Sequence, residues 1–308
     1  MKTKVKKPLE IALIHLSDNG DPSRDNTLQR FYEELKNAGH RPEIISYYQT
    51  SLTFKNNKTE FYYQEKIWDI KKYSLVIPIM AFCGNVIYDH ALLLEALEVE
   101  GLKMKNNLAA IITAKDKAKT ALRLANAKIP HIPTAINFSP YWLKNILNIS
   151  DNNEYVSKIR HGSLGKSVAC HKSKISLISS LELMALNFAP ASRFIFQPLI
   201  KEAKGKDIRV IATKDKVIAV MERRSRNGEF RSNLGGGGTG KAIKVDSATE
   251  KIAMKAIKAL NLDYGGVDIL MSRQGPLVIE VNANPQLKIE EITGVNVAGG
   301  IIKELLSA

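Results

Sequence analysis

Cysteine is almost missing from this sequence: Cys83 and Cys170 are the only two in 308 residues, and no Cys-x-x-Cys occurs. Neither a disulfide framework nor a Cys-rich metal site can be built from them, and a reducing compartment is the default. Long apolar runs are missing too. The stretch Ile11 to Leu16, behind the basic Met1 to Lys7, is interrupted by His15 and leads into Ser17-Asp-Asn-Gly-Asp21, which is too short for a signal-peptide core. The longest apolar stretch, Leu75 to Tyr88, contains Pro78, Gly84 and Asn85 and falls short of the roughly 20 residues a membrane helix needs. A soluble, cytoplasmic protein with no membrane partner is expected. The six histidines form no His-Glu-x-x-His pair, and no Gly-x-Ser-x-Gly elbow occurs, so zinc and serine hydrolysis have no visible seat. The loop after the first apolar run holds only Gly20, so the Gly-x-Gly-x-x-Gly of dehydrogenases is absent and hydride chemistry is disfavoured.

What is present is ordinary globular composition, 44% hydrophobic, in a chain long enough for two domains at roughly 150 residues each. Forty-five Lys plus Arg against 31 Asp plus Glu give +14, a field that favours acidic partners such as nucleotides or carboxylate peptides. Residues 9–16 read as a buried strand. Thr27 to Ala38 reads as a helix capped by Asp25 or Asn26 and stopped at Gly39, and Glu43 to Ser46 as the next strand. Leu75 to Pro78 gives another strand. Tyr88 to Glu100 gives a helix with Leu92, Leu93, Ala96 and Val99 on its apolar stripe, ended by Gly101. Lys115 to Ala127 reads as one basic helix ahead of Ile129-Pro-His-Ile-Pro133.

The most informative stretch is Gly265-Gly-Val-Asp268-Ile-Leu-Met-Ser-Arg-Gln274-Gly-Pro-Leu-Val-Ile-Glu280-Val-Asn282, a strand, a tight turn and a strand. A turn centred on Gln274 sets Asp268 opposite Glu280. The period of two then puts Val267, Ile269, Met271, Leu277, Ile279 and Val281 on an apolar face, and Asp268, Leu270, Val278, Glu280 and Asn282 on the other. Two carboxylates across a strand pair repel, so a half-buried face that keeps them needs a compensating cation, and hard oxygen ligands suggest magnesium. The alternative is a solvated acidic patch.

Val156 to Cys170 reads as a hairpin whose turn, with Gly162, Ser163 and Gly165, can fold backbone N–H groups over phosphates. It is not a Walker site, because Arg160 stands where that motif needs glycine and strand follows rather than helix. Phe196-Gln197-Pro198-Leu199-Ile200 reads as a connector in which proline lacks an N–H while neighbouring backbone groups stay free to read a purine edge. Asp207 and Arg209 follow on the next strand. The arginines of Glu222-Arg-Arg224 and Phe230-Arg231 are planar forks suited to phosphate or carboxylate.

Taken in order, these segments resemble the ATP-grasp superfamily, most closely the RimK-type carboxylate–amine ligases. The likeness runs from about Leu75 to the end. It is strongest in Asp207-Ile-Arg209, in Glu222-Arg-Arg-Ser-Arg-Asn-Gly-Glu-Phe-Arg231-Ser-Asn233, in Gly265-Gly-Val-Asp268, and in Glu280-Val-Asn282-Ala-Asn-Pro285. The resemblance implies an α/β protein of three parts. These are a Rossmann-like α/β lobe over 1–103, a small ATP-grasp lobe with the glycine loop over 104–195, and a C-terminal lobe with the metal site over 196–308, the last two clamping ATP between antiparallel sheets. It implies that Lys117 and Lys158 contact ATP phosphates, Gln197, Pro198 and Leu199 the adenine and Asp207 the ribose. Arg209 would help to hold the nucleotide, Arg231 would touch the reacting phosphates, and Asp268, Glu280 and Asn282 would hold magnesium or manganese. The implied chemistry passes the γ-phosphate of ATP to a carboxylate, and an amine then displaces phosphate, so no protein nucleophile is needed. The implied partners are ATP, an amino acid and a carboxylate-bearing peptide or protein, with homo-oligomers common in the family. A glutathione-like or dipeptide synthetase is the enzymatic alternative, and a silent ATP- or nucleic-acid-binding protein the non-enzymatic one. The pattern departs at Gly235-Gly236 in place of His-Arg, at Asn284-Pro-Gln286 in place of Ser-Pro-Gly, and at Ile79 in place of arginine. All touch the substrate side, where Arg223, Arg224 and Arg226 are the candidate compensating cations.

Overall fold

The computed structural model describes residues 7–16, 25–79, 87–138, 148–162, 168–186, 193–226 and 237–307. Strand β1 (Glu10–His15) is apolar on both faces because helices or loops cover both. Helix α1 (Asn26–Asn37) starts where the Asp25 carboxylate accepts the Leu28 amide at 3.1 Å, and the chain turns out of it through Gly39 at φ 81°. It leads to β2 (Arg41–Ser46), parallel to β1. Next comes a small antiparallel sheet absent from the sequence reading: β3 (Thr50–Lys55), β4 (Lys58–Tyr63) and β5 (Lys66–Ile67). It delivers Phe61 and Trp68 to a core that also holds Tyr73. Strand β6 (Leu75–Ile79) then pairs with the free side of β1, giving the order β2-β1-β6.

Helix α2 (Ile87–Val99) follows, with Gly101 just beyond it at φ 83°. Its stripe differs from the expected one. Ala91, Leu93, Leu94, Ala96 and Leu97 are buried, whereas Leu92 and Val99 are 49% and 78% exposed. The helix is apolar around most of its circumference, so periodicity alone could not select the inward side. The basic helix expected from Lys115 to Ala127 is α4 (Lys117–Asn126), and a helix absent from the sequence reading, α3 (Leu108–Lys115), precedes it. Asp116 divides them: its backbone is extended and its carboxylate caps α4 by accepting from the Ala118 and Lys119 amides.

The smaller of the two remaining sheets contains β7 (Ala135–Ile136), β8 (Tyr155–Ile159), β9 (Val168–His171) and β10 (Phe194–Pro198), in the order β7-β10-β8-β9. Helix α5 (Lys174–Leu186) covers it, with Leu177 and Leu181 against Tyr155 and Phe196. The larger sheet holds β11 (Lys206–Thr213), β12 (Val217–Arg224), β13 (Thr239–Ala242), β14 (Tyr264–Ser272) and β15 (Gly275–Asn282), all antiparallel, in the order β13-β12-β11-β14-β15. Helix α6 (Ser247–Ala259) packs on one face together with Ala110, Ala114 and Leu124. The segments α7 (Ile289–Thr293) and α8 (Val297–Ser307) run back to α1, where Arg30 reaches Glu290 at 2.9 Å. The expected cut between 195 and 196 falls inside β10, and α3 and α4 pack in the core of the larger sheet.

One side chain ties the N-terminal unit to the hairpin β14-β15. Asn106, 2% exposed, donates to the carbonyls of Tyr264 and Ala283 and accepts from the amides of Asp263 and Tyr264. Asn106→Ala leaves four backbone groups without their partner and is expected to cost about 3 kcal/mol, read as a lower midpoint in urea at unchanged slope.

Candidate active site

The face of the larger sheet opposite α6 is divided. At one end Ile211, Ala219, Met221 and Tyr264 pack on the α1–α8 cluster. At the other end the same strands present Asp207, Arg209, Arg223 and Asp268. Strand register creates this row: Asp207 faces Arg223, Arg209 faces Asp268, and Asp268 faces Glu280. Arg223, 4% exposed, gives Nε and Nη2 to the two oxygens of Asp207 at 2.6 and 2.7 Å, and its Nη2 also lies 2.9 Å from Asp268. Arg209 forks onto both oxygens of Asp268 at 2.5 and 2.7 Å. Burial alone would raise the Asp268 pKa, but the two guanidinium groups hold it below the ordinary carboxylate value. The same carboxylates push the Arg223 pKa up against its own burial.

The pairing of Asp268 with Glu280 is as read from the sequence, but the path to it is different. The turn is the two residues Arg273 and Gln274, with Ser272 opposite Gly275, and that register continues to Ile269 opposite Val278. A bulge then shifts the pairing by one residue and brings Glu280 to Asp268. The bulge also changes the face of Val278, which packs with Val267, Ile269 and Val281 in the core, while Met271, near the hairpin turn, is 43% exposed. Outside the bulge, β15 is bordered by Pro130 and Ile132, which bond both backbone groups of Val278.

The start of α4 and the smaller sheet both supply cations to this row. Lys117 opens α4, and its Nζ donates to the Gly162 carbonyl at 2.6 Å and lies 3.4 Å from Glu280 Oε1. Lys158 on β8 feels Glu280, Lys117, Asp268 and Asp207. Burial lowers its ammonium pKa, and the three carboxylates pull the other way. Arg160 closes the lobe by forking onto Asp116 at 2.7 and 2.6 Å. Burial would raise the Asp116 pKa, yet His161 and Arg160 hold it well below the ordinary value. Asp116 thus caps α4 and anchors Arg160, which fixes Lys117 beside the glycine loop. Its signal in the sequence was only its place within Ala114-Lys-Asp-Lys117.

Several expected contacts are occupied by protein groups. Asp207, expected at the ribose, gives both oxygens to Arg223. Arg209, expected to help hold the nucleotide, is committed to Asp268. Arg223, a candidate substrate cation, is buried between two acids, and Arg224 pairs with Glu222. Leu199, expected to keep its backbone groups free, donates its amide to the Glu154 carbonyl at 3.0 Å and accepts from Asn152. Pro198 pairs with Tyr155, and Gln197 is 2% exposed, with Nε2 on Thr134 and Oε1 buried without a partner. Ser163, Gly165, Arg231, Gly235 and Gly236 lie outside the described residues.

The acid face fits a hard cation that brings oxygens of its own. Three guanidinium N–H groups fill three of the roughly four lone-pair sites of Asp268. Among the described residues Glu280 is met by Lys117 at 3.4 Å, and Asn282 on the same strand can offer a cation only its amide oxygen, its Nδ2 being a donor. Among the described residues no three His, Cys, Asp or Glu form a metal cluster by themselves. One open carboxylate, one remaining carboxylate direction and an amide suit magnesium, which takes one or two carboxylates and completes its shell with phosphate and water.

The RimK-like ATP-grasp domain model matches residues 114–305. The chain belongs to the RimK-like ATP-grasp family. It is an ATP-dependent carboxylate–amine ligase. It is 32% identical over 277 residues to a probable alpha-L-glutamate ligase of Vibrio cholerae, covering 89% of each chain. It is also 32% identical over 286 residues to the ribosomal protein bS6–L-glutamate ligase of Escherichia fergusonii, covering 91% of this chain and 93% of that one. In fold it is similar to the ATP-grasp ligase PsnB solved with a minimal precursor, with TM-score 0.72 at 18% identity over 98% and 99% of the two chains. It is likewise similar to the D-cycloserine synthetase DcsG, with TM-score 0.70 at 17% identity over 96% and 99%. No helix among the described residues is long and apolar enough to cross a membrane.

Two outcomes follow for the charged groups. Arg223→Ala leaves two buried carboxylates short of a partner and is expected to destabilise the fold by about 3–5 kcal/mol in urea melts. Asp116 has a folded pKa below its unfolded value near 3.8, so its stabilisation is complete above that value and disappears as pH falls through the folded one. The stability difference between the native chain and Asp116→Asn should therefore shrink as pH falls below about 4.

Proposed function

We propose that the protein joins an amino acid to a carboxylate on a peptide or protein in the cytoplasm, with L-glutamate the first candidate amino acid. The observation that carries this reading is the convergence of Lys117 on α4 and Lys158 on the smaller sheet upon Glu280 and Asp268 of the larger one. Glutamate ligases among its relatives and peptide-bound ligases of the same fold support the substrate class.

In this reading the two lysines take the phosphate tail of ATP, with Gly162, Ser163 and Gly165 folded over it, and Gln197, Pro198 and Leu199 border the adenine. Phosphate oxygens near Lys158 offset the burial that lowers its pKa and keep the ammonium charged. Asp268, Glu280 and Asn282 hold magnesium, or manganese in its place. When bound, the metal neutralises phosphate charge and orients the γ-phosphoryl group. Arg231 and Lys158 stabilise charge on that group as a carboxylate oxygen of the acceptor attacks phosphorus and ADP leaves. The amine then attacks the acylphosphate carbonyl, the C–O bond to phosphate breaks, and amide, phosphate and a proton are released. Lobe closure excludes the water that would hydrolyse the acylphosphate. Every step depends on position and charge rather than on a protein nucleophile.

Mass spectrometry of products from ATP, magnesium, a carboxylate-terminated peptide library and a mixed amino-acid pool tests the proposal. Peptide gaining one amino-acid residue mass with one ADP formed is expected, and no ATP-dependent product across the pool would refute it. Glu280→Gln is expected to lower ADP formation by about 100-fold or more while the thermal melt stays within a few degrees. Unchanged turnover would remove Glu280 from the site.

A further inference from the structure

His15 and Ser46 end neighbouring parallel strands and are partners in register, so they face the same side of the sheet. That side is the one α1 covers, since Leu13 and Ile44, two residues earlier on each strand, pack on the cluster with Leu28 and Phe31. The two residues are 1% and 3% exposed. Among the described residues, both ring nitrogens of His15 and the Ser46 hydroxyl are buried without any hydrogen-bond partner. Such groups bear their desolvation cost with nothing in return, and three of them side by side are exceptional in a well-packed lobe.

Their place in the fold is also that of a ligand site. β1 is the middle strand, with β2 reached on one side and β6 on the other, so its carboxyl end is a topological switch point, where open α/β sheets hold ligands. The segment leaving the proposed metal strand runs along this lobe: Ala283 packs on the cluster of one sheet face together with Leu16, and Leu287 lies in the same cluster as Ile79, the register partner of His15.

The charge on hand selects the ligand. Burial holds the imidazole below its ordinary pKa, leaving a neutral ring with a free lone pair, and among the described residues the charged group acting on it is Asp25. Asp25 already caps the N-terminus of α1, so an incoming anion would meet a carboxylate there. An amino group instead finds acceptors in the imidazole, the hydroxyl and the carboxylate. We propose that His15, Ser46 and Asp25 form the subsite that receives the amino group of the amine substrate. This rests on the ligase reading given above and places the amine on the N-terminal lobe, at the edge adjoining Asn282.

The test uses the full chain and the Ser46→Ala and His15→Phe variants. Each variant is expected to raise KM for the amino acid about tenfold, the loss of one hydrogen bond to a charged group, while KM for ATP and for the carboxylate acceptor does not move. Because orphaned polar atoms are being removed, the melting temperature of Ser46→Ala should hold or rise, whereas a structural hydroxyl would lower it. An unmoved amine KM, a shift in the acceptor KM instead, or a Ser46→Ala variant that melts several degrees lower with an unmoved amine KM each overturns the subsite. Should the native chain form no amide with any amine, the ligase reading fails by itself. The subsite is then decided by the 15N imidazole resonances of His15 under titration with L-glutamate, L-lysine and glycinamide, where saturable shifts support it and their absence overturns it.

Discussion

Asp268 and Asp207 are buried acids on neighbouring strands, and Arg223 lies between them with hydrogen bonds to both. Removing a carboxylate from water is costly unless cations and hydrogen bonds replace the lost solvation. Here the replacement comes from the sheet itself. Antiparallel register puts a guanidinium directly across from each acid, so charge balance is set by strand pairing rather than by flexible surface side chains. The apolar half of the same face then docks on α1 and α8, and α6 with α3 and α4 closes the other side. The polar row is thus held rigid from both directions.

Such a row is suited to the chemistry of the family. Phosphoryl transfer needs fixed charges aimed at a phosphate tail and little covalent participation by the protein. Glu280 and Lys117 meet loosely at 3.4 Å, while Asp268 is gripped by two arginines. The two acids therefore differ in role even though they are direct neighbours: one is open to exchange, and the other is held in place. Arg160, at the end of β8, and Asp116 place Lys117 through a helix cap, so the lysine's position is set by backbone geometry.

The N-terminal lobe is more than a support. Asn106 stitches it to both ends of the hairpin that carries the acids, and Arg30 reaches Glu290 in the closing helices. Substrate held at the carboxyl edge of its parallel sheet would therefore sit at a fixed distance from the nucleotide lobes. The orphaned atoms of His15 and Ser46 lie at that edge.

The sequence by itself determined the β-α-β start, a cap at Asp25 or Asn26 and the Gly39 stop, because local spacing and turn chemistry govern these, whereas the facing of Asp268 and Glu280 came out right through two departures that offset each other. It also carried the family, through motifs whose order along the chain is preserved. What it left undecided depended on contacts between distant segments. Periodicity did not choose the buried side of α2, since an apolar circumference offers no contrast. The bulge at β15 was invisible because one extra residue and a shorter turn cancel in the register sum. The helix α3 ahead of Asp116 went unread, and only Arg160, far along the chain, explains why an acid stands at the start of α4. Most of all, the partners of Asp207, Arg209 and Arg223 were fixed by which strands lie side by side. A sequence names the charges, but only the sheet brings opposite ones within reach of each other.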